Sequence, residues 1–211
     1  MDHLRAGAAV FNAGYHHAAH DAWEERWLDC EGEERTLLQG LIQYAAAVHH
    51  AGGGNSEGAR NLAESAAEYL TEARARADDA GVNADEIREY LARLETNPSL
   101  REEGEGEGEG EEGEPPLVEV AGEVPRLDDL RFPAAGIAAR ALAHGHPHEE
   151  TVTLAVEYAE ADLADDTVSS PFVTLLLDYI GGAHGVVLQR LEQHVQRRTS
   201  KEEDVKGLFD T

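Results

Sequence analysis

Apolar residues along this chain recur at helical rather than strand spacing almost throughout. Leu4, Ala8 and Phe11 share one side of a short predicted helix over Asp2 to Asn12, which Gly14 closes. A second helix is predicted from Tyr15 to about Cys30. There a turn of roughly 100° per residue gathers His16, His20, Trp23 and Trp27 into one stripe with Glu24 at its edge, while Asp21 and Glu25 fall towards the other side. The third helix, Arg35 to Gly52, is the most apolar of the first half, with Leu38, Leu41, Ile42, Ala45, Val48 and His49 on one face. Its Gly40 and the alanines from Ala45 to Ala47 are small enough to let a neighbouring helix come close. Asn55 or Ser56 caps a fourth helix to about Ala77, striped with Leu62, Ala66, Tyr69 and Leu70. Asn83 and Glu86 have capping-box spacing and open a fifth helix, Ala84 to Leu94, ended by Asn97-Pro98.

The pattern then stops. Residues 101–116, REEGEGEGEGEEGEPP, have nothing to bury, so an extended, disordered acidic linker is expected. Leu117 to Val124 alternates weakly and is read as a short extended segment. Helical spacing returns after Pro133, which suits a first helical turn, and continues to Gly145. Thr151 to Leu163 forms the next helix, with Val152, Val156, Ala159 and Leu163 on one face. Ser170-Pro171 caps a last one to about Arg198, in which Gly181, Gly182 and Gly185 introduce a kink or a break. A frayed tail follows from Thr199. The expected fold is all-α: a helical bundle-like domain over residues 1–99, an acidic Gly/Glu linker over 100–116, and a helical C-terminal region over 117–204.

Charge changes the picture most. The formal net charge is -26, from 43 acidic against 17 basic residues, and Lys201 and Lys206 are the only lysines. At about 1 M salt the Debye length shrinks to about 3 Å, so dense surface acid is tolerated and keeps a protein hydrated. The composition therefore fits a halophile's cytoplasm or, as a lesser alternative, the footprint of a basic partner or a nucleic-acid mimic. It disfavours binding nucleic acid through phosphates. Cys30 stands alone, which leaves no intrachain disulfide and no thiolate-rich zinc site. MDHLRAG lacks the basic start and apolar run of a secretory signal, and no stretch approaches eighteen apolar residues, so a soluble cytoplasmic protein without membrane contact is expected.

Two ordered blocks lie on the first helices. The sequence FN-x-G is followed six residues after its glycine by His20, then Glu24 and Trp27. Downstream stands LLQGLIQYAAAVHHAGGGNSEGA, residues 37–59. Together they resemble the signature of the domain-of-unknown-function family 309 over about residues 1–98. The matching positions are Phe11, Asn12, Gly14, His20, Glu24, Trp27, Gln39, Gly40, Gln43 and Asn55. The resemblance implies a small all-helical domain, frequent in prokaryotes, with no established activity. Where family members often carry an acidic residue two positions before the histidine, this chain has Ala18.

The candidate chemistry is a polar cluster of His20, Asp21, Glu24, Trp27, Gln43, His49 and Asn55. His20 and Glu24, spaced i,i+4, can touch and can hold a divalent metal such as zinc, manganese or iron, with His49 as third ligand. Such sites are built between facing helices in bundles. The simpler reading is a buried His20–Glu24 hydrogen bond that fixes helix geometry between the tryptophans. The His20-Asp21 dipeptide matches HD-type phosphohydrolases too briefly to assign their remaining residues. Gln39, Gln43 and Asn55 are expected to satisfy polar groups near helix ends or, alternatively, to line a small pocket beside the tryptophans. His144, His146 and His148 read as a solvated turn, and His184 and His194 as packed or surface residues. The favoured function is a non-enzymatic module that binds a protein partner or itself, as a homodimer. The alternative is a metal-dependent hydrolase using His20, Glu24 and His49.

If the charge reflects salt adaptation, the helical circular dichroism signal should fall as salt drops below about 0.5 M, where repulsion is less screened. An unchanged signal in dilute buffer would contradict that origin.

Overall fold

The computed structural model describes residues 1–98, 113–167 and 169–207, and among these it is all-α, with ten α-helices and no strands. It divides into two compact units, Met1–Asp129 and Leu130–Thr211. The first contains α1 (Asp2–Asn12), α2 (His16–Asp29), α3 (Gly32–Gly52), α4 (Ser56–Glu72), α5 (Arg74–Ala80) and α6 (Ala84–Thr96). The second contains α7 (Ala134–Ala143), α8 (Glu149–Ala164), α9 (Pro171–Ile180) and α10 (His184–Gly207).

The α1–α2 seam is set by one residue pair. A Cβ on Gly7 would lie 2.2 Å from Trp23 Nε1, so only glycine leaves room for the indole to lie against α1. Fully buried there, Trp23 donates its Nε1–H to the Leu4 carbonyl at 3.3 Å, which satisfies the one polar atom of the ring. Gly14, one residue past the α1 C-cap at φ +86°, reverses the chain between the two helices. Phe11 continues the aromatic packing, with ring centroids 6.4 Å from Trp23 and 4.8 Å from Tyr44. At the α3–α4 seam Gly40 performs the same service, since its Cβ would meet the Leu70 side chain at 2.9 Å.

The predicted fourth helix is interrupted. Ala73, at φ -86° and ψ 14°, separates α4 from α5, and Gly81 in the left-handed region closes α5. Asn83 does not cap α6 through a backbone N–H. Its Nδ2 instead donates to Leu117 O at 2.9 Å and to Glu86 at 2.7 Å, while Oδ1 accepts from Glu119 N at 2.9 Å. Asn12 grips the same segment, donating to Val118 O and Pro125 O and accepting from Val118 N at 2.8 Å. Tyr44 Oη donates to Pro116 O at 2.7 Å. With Val118 and Val120 fully buried and Ala121 N bonded to Ala80 O, residues 115–126 are a strap over the first unit.

The unit boundary therefore falls after Asp129, and residues 117–129 do not join the C-terminal helices, as their place after the acidic run had suggested. The physical reason is that an extended segment must satisfy its backbone groups, and two asparagine side chains of the first unit do so. Most of the expected linker, residues 100–112, lies outside the described residues.

In the second unit Ser170 caps α9 by accepting from Val173 N. The long last helix breaks after Ile180, where Gly182 adopts φ +96°. Beyond the break α10 runs through Thr199 to Gly207 instead of fraying, held by Tyr158 Oη and Thr199 Oγ1 at 2.9 Å and by Arg198 paired with Asp162 and Glu202. Among the described residues no helix is long and apolar enough to cross a membrane.

Gly7→Ala should destabilise the first unit by about 1–3 kcal/mol, because overpacking against the indole outweighs a helix-propensity gain of ~1 kcal/mol. Gly185→Ala, where a Cβ meets nothing within 4 Å, should be neutral or mildly stabilising. Denaturant unfolding followed by far-ultraviolet circular dichroism, which reports the helices of both units, compares the two. Equal effects would remove the packing role assigned to Gly7.

Candidate functional site

The face that α2 buries is Ala19, Ala22 and Trp23. Because Trp23 occupies the seam, the stripe predicted to face inward is rotated, and His20 and Glu24 lie at its half-exposed border. The expected buried His/Glu/Trp cluster is corrected accordingly. Trp27 is also half-buried, with the Arg35 guanidinium 3.8 Å above its ring and Arg35 Nη1 donating to its carbonyl at 2.8 Å. Arg26 clasps Glu34 bidentately at 3.1 and 3.0 Å, which holds the Glu34 carboxyl below its ordinary range. These pairs fix the end of α2 against the start of α3.

Three donors remain at the border of α2. One ligating atom each from His20, Asp21 and Glu24 lies within 4.8 Å of the others, and all three side chains are half-buried. His20 Nδ1 stands 3.2 Å from Asp21 Oδ1, so Asp21, which an ideal helical wheel turns aside, joins the group by reaching across one residue. The hydrogen bond to Asp21 raises the His20 pKa above 6.5, against the lowering effect of burial and with the help of the Glu24 charge. A nitrogen and two carboxylates within this span suit a borderline or hard divalent ion and leave further coordination positions to water.

His49 does not join them, although it was expected to be the third ligand. It is exposed, and its ring stacks on His17 at 5.2 Å, so an imidazole from α2 stands beside it where a shared metal would have required His20. Asn55 is the α4 N-cap, with Oδ1 accepting from Gly58 N at 3.0 Å and Nδ2 3.0 Å from His50 Nδ1. Gln43 Oε1 is buried without a hydrogen-bond partner among the described residues, contrary to the expectation that it satisfies a helix end.

Sequence reasoning missed the roles of Asn12, Tyr44 and Asn83, whose partners lie 72, 106 or 113 residues away for the first two and 34 or 36 for the third. Asn12 carried a signal as a signature position, but without a partner in view. In the second unit His144 bonds Glu149, while the His146 and His148 rings stack at 5.4 Å. His148 Nε2 lies 2.9 Å from Tyr179 Oη, and burial, aided by the His146 and His184 charges, lowers its pKa below 6.5.

Neither a curated protein nor a solved structure matches this chain. The family model described as a domain of unknown function, DUF309, matches residues 4–62, so α1 to α3 and the start of α4 carry that family's pattern.

Proposed function

We propose that the chain is a non-enzymatic helical module whose first unit binds one divalent cation at His20, Asp21 and Glu24. The convergence of three ligating atoms within 4.8 Å on the border of α2 carries this reading. The neighbouring signature residues support it in a second way, because they are already committed to packing. Asn12 holds the strap and Asn55 caps α4, while Trp27 lies under Arg35. What is left over is a donor set on a rigid helix, stiffened from behind by Trp23.

Its placement favours a structural or regulatory ion over a hydrolytic centre. The three ligands come from adjacent turns of one helix and lie at its half-buried border, so they can hold a hydrated ion but share no facing wall with a second helix through His49. An ion there would neutralise part of the acidic surface and offer open positions to a protein partner or a second copy.

Calorimetric titration of untagged protein with manganese or zinc should show one equivalent bound. Glu24→Gln should weaken it by roughly tenfold or more, consistent with loss of a charged ligand, and His49→Ala should leave it unchanged. Binding that survives Glu24→Gln but is lost in His49→Ala would overturn the assignment. Turnover of a phosphoester or amide by loaded protein, absent in Glu24→Gln, would replace the module reading by the hydrolase one.

A further inference from the structure

The second unit contains a concavity of ≈ 660 Å³ where the start of α9 meets the middle turns of α10, from His194 to Glu202. That volume suits a small organic molecule. Its apolar part is small: exposed Pro171 and the His194 ring stand on one side, with the buried Phe172 ring behind them at a centroid distance of 6.0 Å from His194, and the remaining lining is charged.

The charge at this place runs against the rest of the chain. Both lining carboxylates, Asp162 and Glu202, are bound to Arg198, whose guanidinium also sits 4.8 Å from the Tyr158 ring centroid. Asp162 is buried, and although burial alone would raise its pKa, its bonds to Arg198 and Ser170 hold it below the ordinary range. Arg198 is thus consumed as a structural strut. Arg197 and Lys201 also line the concavity, and among the described residues neither has an acidic partner. The chain has 43 acids and only two lysines, yet one of those lysines stands here beside an arginine. A strong acidic background leaves such a pair as a local sink for negative charge.

We propose that this concavity binds a small organic anion, a carboxylate carried on a flat apolar body. The body lies against Pro171 and the His194 ring, and the carboxylate is held by Arg197 and Lys201 at the rim. Arginine supplies a planar two-donor fork for a carboxylate and lysine a point charge, so the two together fix both orientation and sign. This site lies in the second unit and does not depend on the cation site of the first.

The test uses the full chain, at the lowest salt that keeps its helical signal, titrated calorimetrically with 2-naphthoate and with uncharged 2-naphthylmethanol. One molecule of naphthoate should bind per chain, with the alcohol roughly tenfold weaker or worse, a difference of about 1.4 kcal/mol. The double variant Arg197→Gln/Lys201→Gln, which leaves the Arg198 strut intact, should lose about the same factor with unchanged circular dichroism. Arg190→Gln on the same helix should bind as the parent does. Equal binding of the two compounds, full binding by the double variant, or no saturable binding of naphthoate at millimolar concentration would each refute the proposal.

Discussion

The first unit depends on an indole lying flat across a glycine. Trp23 can bury its whole side chain only because Gly7 offers no Cβ, and it can bury its N–H only because the Leu4 carbonyl lies within reach. That contact sets how far α2 is rotated about its axis. With Ala19, Ala22 and Trp23 inward, His20 and Glu24 must come to the border, and Trp27 must end half-covered under Arg35. The candidate site is therefore a consequence of core packing on the opposite side of the same helix. A one-position rotation would bury two charged groups without the partners that burial demands.

The second constraint is backbone satisfaction. Residues 115–126 have no sheet to join, and they are held by carboxamides from α1 and from the residue before α6, by the Tyr44 hydroxyl, and by backbone bonds to Ala80 and Gly81. Gly81 is needed there in both senses: its φ is +63°, and a Cβ would approach Ala121 Cα to 2.6 Å. The strap thus closes the first unit over the end of α5, with buried Val118 and Val120 as its anchors.

Much of the helical layout was legible because the apolar period is clean. α1, α2 and α6 come within about two residues of their predicted limits, and α3 starts three residues earlier than predicted. Gly40 as a close-packing point and Ser170 as a cap were readable from local chemistry. The Ala73 break was not, since alanines and charged residues of good helix propensity surround it. Nor was the rotation of α2, because two tryptophans and two histidines made a plausible inward stripe, and only the glycine on another helix decides between Trp23 and Trp27. His49 failed as a ligand for a related reason: periodicity placed it on a face, but not beside His17 rather than His20. Long-range clamps such as Asn12 to Val118 leave no mark in local pattern at all.

On the proposed reading, the Trp23–Gly7 contact leaves His20, Asp21 and Glu24 together as one cation site at the half-buried border of α2. Anomalous diffraction from crystals grown with manganese tests it most directly. One strong peak is expected about 2.0–2.3 Å from ligand atoms of all three residues, the range for nitrogen and carboxylate donors to such ions. A peak at the His17–His49 stack with none at the α2 border would contradict it.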